Sequence, residues 1–140
     1  MTHLAQMRIG SLEIVTALAA VAVVASRPRA AIASEAGTLA PVKAVLRIFE
    51  RGRERSFQGV CPLTIGRDKT VDLPIGDAEV SRRHARLETQ GETVYLRDLG
   101  SSNGTFLNGR RIDSAIETRE GDEIDVGITR IVVEKLEPWT

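Results

Sequence analysis

The sequence predicts an all-β sandwich behind an Ala-rich amino-terminal extension, and three observations carry that prediction. From Pro41 onward the chain is a series of short runs rich in Val, Ile, Leu and Thr. Closely spaced turn dipeptides containing Gly or Asn separate the runs, a pattern that fits antiparallel strands better than βαβ units. No segment after Pro41 carries the apolar period of an amphipathic helix of useful length.

Composition narrows the function classes. With 140 residues the chain has room for one domain plus an extension. Its 19 basic and 19 acidic residues cancel, so there is no global field to gather nucleic acid or an anionic membrane, and any anion recognition must be local. The single cysteine, Cys61, excludes an intramolecular disulfide and a multi-cysteine metal site. It reads as a small apolar residue beside Pro62. There is no internal repeat.

In order, residues 44–51 form a first strand, Gly52-Arg53 a turn, and residues 55–60 its hairpin partner. Pro62 marks a break or an edge. Residues 63–65 are a short strand ending at Gly66, where the backbone freedom of glycine is expected to aim Arg67 out of the sheet. Residues 68–75 are loop with a short strand inside. Residues 84–89 and 93–98 alternate in polarity across Gln90-Gly91, as two antiparallel strands with one wet face do. Asn103-Gly104 and Asn108-Gly109 are turns. Ile112, Ile116, residues 124–126 and residues 129–133 supply the closing strands, joined by turns at residues 120–122 and at Gly127.

Three polar blocks fall between apolar runs and therefore on loops: Ile65-Gly66-Arg67, Ser81-Arg82-Arg83-His84, and Asp98-Leu99-Gly100-Ser101-Ser102-Asn103-Gly104-Thr105. They present a guanidinium, hydroxyls and an amide without neighbouring acid-base machinery. That set holds a phosphate, because arginine offers a planar fork and hydroxyls complete the remaining oxygens. Each residue also has a plainer reading: Arg67, Arg82 and Arg83 as solvated charges, Ser81 as a turn hydroxyl, Asn103 as half of an Asn-Gly turn. Ser81 and His84 do not read as a nucleophile and base, since no motif places a carboxylate to orient the ring. Nucleotide loop, metal cluster, nucleophile elbow and acid pair are all missing from the sequence.

In this order and at these separations, and followed by Thr105-Phe106-Leu107-Asn108-Gly109, the blocks resemble the forkhead-associated (FHA) domain from Pro41 to Leu136, in a small single-domain bacterial form. The resemblance implies a β-sandwich of two antiparallel sheets that binds phosphothreonine peptides and mediates phosphorylation-dependent protein-protein interaction in Ser/Thr kinase signalling. It implies no enzymatic activity, no cofactor and no metal. Arg67, Ser81 and Ser102 correspond to the phosphothreonine contacts, and Asn103 and Arg82 to peptide contacts. Gly66, His84 and Gly104 correspond to residues that shape the site, with the His84 ring bracing the loop that carries Ser81. The expected partner is a phosphothreonine-containing protein, a Ser/Thr kinase or its substrate, and not nucleic acid. The alternative is a phosphate-independent scaffold in a membrane-associated assembly.

That alternative rests on the amino-terminal segment. Between Arg8 and Arg27 the chain is Ala-, Val-, Ile- and Leu-rich with Glu13 as its one charge. From Ile14 to Ala25 only Thr16 is polar, shorter than the roughly 20 residues of a full span. It reads as a weak anchor with Arg27 and Arg29 on the cytoplasmic side, as a signal-like segment with Ala31-Ile32-Ala33 at its end, or as an incidental extension, helical or disordered. The expected organisation is residues 1–40 as apolar segment and linker, 41–137 as the domain and 138–140 as a tail. The expected location is the cytoplasm, with a tether to the inner face of the membrane as an option.

Overall fold

A computed structural model of the chain describes residues 41–139. The anchor, signal-like and extension readings concern residues 1–40, outside the described residues. Eleven strands follow one another: β1 (Val42–Glu50), β2 (Arg53–Cys61), β3 (Leu63–Gly66), β4 (Leu73–Pro74), β5 (Ala85–Gln90), β6 (Thr93–Asp98), β7 (Thr105–Leu107), β8 (Arg110–Arg111), β9 (Ile116–Thr118), β10 (Glu123–Val126) and β11 (Thr129–Pro138). Among the described residues no helix is long and apolar enough to cross a membrane.

The strands form two sheets, one of six in the order β2-β1-β11-β10-β7-β8 and one of five in the order β4-β3-β5-β6-β9. Alternation decides which face turns inward. On β1, Val42, Ala44, Leu46 and Ile48 are buried; on β5, Ala85 and Leu87 are. These side chains meet Leu63, Ile65, Leu96, Ile124 and Ile131 in one core drawn from both sheets. Each fully buried Leu or Ile contributes on the order of 1.5–3 kcal/mol. Cys61 belongs to that core and Pro62 follows it through a cis peptide bond.

Two differences from the sequence-based elements have physical reasons. The first hairpin spans residues 42–61 instead of 44–60, and its turn is Arg51-Gly52, with φ of 52° and 72°, instead of the expected Gly52-Arg53. A two-residue turn with both φ positive matches the twist of the flanking strands, so the ladder closes right up to it. β4 lies parallel to β3, pairing Ile65 with Leu73 and Gly66 with Pro74. The intervening loop is clamped by Asp72, whose carboxylate accepts from the Thr64 N–H at 2.8 Å, and Pro74, with no N–H to offer, sits on an edge strand. At the carboxy-terminal end β11 runs to Pro138, and the Trp139 N–H donates to the Pro41 carbonyl at 3.0 Å.

Candidate functional site

The site is built where the β3–β4, β4–β5 and β6–β7 loops meet. Gly66 closes β3 against the β4–β5 loop: a Cβ there would lie 2.0 Å from the Arg82 carbonyl oxygen. Gly66 is not among the residues with positive φ, so the expectation that special backbone angles aim Arg67 is corrected. Glycine is required because two main chains touch. Around that contact the Arg67 N–H donates to the Ser81 carbonyl at 2.9 Å, the Asp68 N–H to Arg82 at 3.1 Å, and the His84 N–H to Ile65 at 2.8 Å. The Arg67 Nε donates to the Val80 carbonyl at 3.0 Å. One edge of the guanidinium is thereby fixed, and no bond within the described residues occupies its two terminal nitrogens, on a side chain exposed to solvent.

His84 is fully buried and joins two loops. Its Nδ1 accepts the Ser81 N–H at 3.0 Å, so the ring hydrogen resides on Nε2, which donates to the Gly104 carbonyl at 2.8 Å. Both ring nitrogens are engaged with main chain, and neither bonds the Ser81 hydroxyl. Ser81 Oγ instead accepts the Ser102 N–H at 3.0 Å. That bond ties the two hydroxyl-bearing loops together and leaves the Ser81 O–H to donate elsewhere. Gly104 has a φ of 87°, and the Arg111 guanidinium covers it so closely that a Cβ would meet its Nε at 2.8 Å.

Asp98 frames the apex of the β6–β7 loop. One carboxylate oxygen accepts the Gly100 and Ser101 N–H groups, both at 3.0 Å; the other accepts the Ser101 and Thr105 hydroxyls at 2.5 and 2.6 Å. Ser101 Oγ in turn accepts the Gly104 N–H at 2.9 Å. Ser102 and Asn103 are therefore held on a closed ring of hydrogen bonds. Burial pushes the Asp98 pKa up, but the bonds from Ser101, Thr105 and Gly100 outweigh it and hold the group below its ordinary value.

Asn103 donates both hydrogens of its amide to Glu79, one to the carbonyl at 2.8 Å and one to the carboxylate at 3.0 Å. Glu79 is placed by Asp77, whose buried carboxylate accepts the Glu79 N–H at 2.8 Å and, at 2.9 Å each, the Ile128 N–H and the Thr129 hydroxyl. Burial raises the Asp77 pKa, yet these bonds, with the charge of Arg51, bring it below the usual range. Arg82 and Arg83 are exposed beside the site. With the bonds from Thr70 acting first, their charge lowers the pKa of Asp68 across the loop.

Arg67, Ser81, Ser102, Asn103, Gly66, His84 and Gly104 thus share one hydrogen-bonded assembly, whereas the Arg82 side chain stands at its rim. Sequence reasoning missed Asp77, Asp98 and the Glu79 contact. Asp98 had a local signal, an Asx-type turn from Asp98 to Ser101. Asp77 had only the short Asx-type bond from the Glu79 N–H, and its other two partners, 51 and 52 residues away, left no local trace. The free donors are guanidinium nitrogens and hydroxyls, and the Asp77 and Asp98 carboxylates are saturated with hydrogen bonds. The arrangement can hold a multiply charged oxyanion.

The sequence model of the FHA domain family matches residues 63–127, which contain all three blocks. The FHA domain-containing protein FhaB of Mycobacterium tuberculosis is 39% identical over 70 residues, covering 50% of this chain and 45% of that protein. The chain thus spans about half the length of the curated relatives it matches. A solved structure from a study of phosphothreonine-dependent FHA domain interactions is 30% identical with a TM-score of 0.60, covering 66% of this chain and 96% of that one. The FhaA FHA domain, solved in complex with the intracellular domain of Rv3910, is 30% identical with a TM-score of 0.59 and coverages of 65% and 99%.

Proposed function

The chain belongs to the FHA domain family, and on that premise we propose that residues 41–137 read phosphothreonine in a partner protein, bringing it into a Ser/Thr kinase signalling complex. The observation that carries the reading is the Ser81 Oγ bond to the Ser102 N–H at 3.0 Å. It ties the Ser81 hydroxyl to the main chain of Ser102, on loops registered to Arg67 by the Arg67 N–H bond to Ser81, which supports a joint role for the two serines. A phosphothreonine offers a dianion and three acceptor oxygens to Arg67, Ser81 and Ser102, with Asn103 and Arg82 meeting the flanking peptide. Charge-assisted bonds are roughly twice as strong as neutral ones, so the unphosphorylated threonine gains little. Because the donors are fixed beforehand, little ordering is needed on binding.

In this reading the protein is a binding module and not an enzyme. Its partner is a kinase or a kinase substrate, it works in the cytoplasm, and residues 1–40 would supply any membrane tether. The test is fluorescence polarisation of the full chain against a degenerate phosphothreonine library, beside unphosphorylated and phosphoserine libraries. Selective binding that falls by at least tenfold in Arg67→Ala is expected, since a bond to a charged group contributes about 1.5–3 kcal/mol. Capture that ignores the phosphate would move the function to phosphate-independent assembly.

A further inference from the structure

We propose that the tip of the β1–β2 hairpin is a second docking site on this domain, which takes an acidic segment of the same phosphorylated partner. This rests on the reading above and adds to it a surface that the phosphate donors do not use.

The tip encloses an open recess of about 520 Å³ lined by Glu50, Arg51, Arg53 and Arg55. Its only carboxylate is already engaged. Glu50 accepts the Gly76 N–H at 2.5 Å and Arg55 at 3.4 Å, and Arg55 also donates to the Pro74 carbonyl at 2.8 Å. The Arg51 and Arg53 side chains are exposed and make neither a hydrogen bond nor an ion pair among the described residues, although the Arg51 charge is felt at Asp77. Two uncommitted guanidinium groups, Arg51 and Arg53, therefore stand beside the Glu50–Arg55 pair.

Along the strands of both sheets, arginines find carboxylate partners. Arg47 pairs with Glu54 and Glu134, Arg86 and Arg97 with Glu88, Arg119 with Glu117, and Arg130 with Asp125 and Glu123. Among the described residues the unpaired arginines collect in two places: beside the phosphate donors, including the β7–β8 hairpin, and at this tip. Both unpaired groups are left open to an anion from outside, and the tip is the one that lies apart from the Arg67, Ser81 and Ser102 loops.

The tip is also continuous with the first site. Glu50 holds Gly76, which adjoins Asp77, and Asp77 fixes both Glu79 and Ile128. Arg51 walls the recess on one side and, on the other, a groove of about 800 Å³ that Gly127 and Ile128 also line. A peptide leaving the Asn103–Glu79 corner along Ile128, 76% exposed, arrives at Arg51. The recess is larger than one carboxylate needs, and guanidinium forks match carboxylates pairwise, so a run of Asp or Glu fits.

The test uses the full chain and synthetic peptides that share one phosphothreonine core. A Gly-Ser spacer of about ten residues joins the core to a tail of four Glu, of four Gln, or of neutral residues around a second phosphothreonine, with the tail placed before or after the core. Two or three exposed pairs, tethered, should tighten the Glu-tailed peptide about tenfold over the Gln-tailed one in one of the two orders. The gain should disappear in Arg51→Gln/Arg53→Gln and in high salt, while the Gln-tailed affinity stays the same. Arg53→Glu, which touches no internal bond, should turn the gain into a loss, and thermal melting checks that both variants fold. No gain in either order, or a gain that survives the double variant, overturns the proposal. A gain confined to the second phosphothreonine tail overturns it in favour of a second phosphate. If the Glu tail acts but phosphate on the core does not, the phosphothreonine reading fails and the tip assignment stands.

Discussion

Replacing His84 with phenylalanine removes two hydrogen bonds and keeps a ring of similar shape in the same buried place. The Ser81 N–H and the Gly104 carbonyl, 3.0 and 2.8 Å from the imidazole nitrogens, would both lose their partner. A buried polar group left unsatisfied costs about 1–3 kcal/mol. Ser81 is only half-buried and can turn its N–H toward water, so its share falls at the low end; together the two come to about 3 kcal/mol. For a domain of this size that lowers the melting temperature by about 12–24 °C. The same ring registers the loop of Ser81 against that of Ser102, so phosphothreonine-peptide affinity should drop at least tenfold at a temperature where His84→Phe is still folded. Circular-dichroism melting and fluorescence polarisation on the full chain read both effects. A variant less than about 1 kcal/mol weaker than the parent, with its affinity intact, would refute the claim that His84 couples the two loops.

Acid should unfold the domain through its framing aspartates. Asp77 and Asp98 have folded pKa values below the ordinary one, so their contribution is complete above the unfolded value of about 3.9 and is lost as pH falls through the lower folded values. Urea midpoints should hold steady down to about pH 5 and then decline; in Asp98→Asn the protein should be less stable at neutral pH and its acid decline shallower, and an unchanged slope would count against the assignment. Burial pushes the Cys61 thiol up to about 12, which keeps it protonated and out of reach. Iodoacetamide at pH 8 should label it only after denaturation, as mass spectrometry would show, and rapid labelling of the native protein would contradict its place in the core.

Alternation makes most of the sandwich legible in the sequence. The β5–β6 pair reads directly from residues 84–98, since a strand with one wet face must alternate. β4 is harder, because two residues inside a loop carry no period, and its parallel pairing depends on where the Asp72 carboxylate clamps the chain. The polar blocks mark the proposed phosphate donors, but the supports are hidden to different degrees. Asp98 acts on neighbours within seven residues and has a turn signature, whereas Asp77 acts across the whole second half of the chain. Gly66 stands out in the sequence for the wrong property: contact with Arg82 is a tertiary fact, and no local preference encodes it. The hairpin arginines give no signal, because which arginines meet an internal carboxylate is decided by the fold.

The Asn103 amide gives the site a polarity. With one hydrogen on the Glu79 carbonyl and the other on its carboxylate, the orientation of the group is unambiguous, because an oxygen in that place would face two acceptors. All the donating capacity is used internally, and what remains is a single carbonyl oxygen. The side chain of Asn103 can therefore accept an N–H and has no hydrogen left for a C=O. An extended chain presents its N–H and C=O groups on alternate sides along its length, so in the proposed reading a peptide crossing Asn103 would be sorted by register before any of its side chains is consulted.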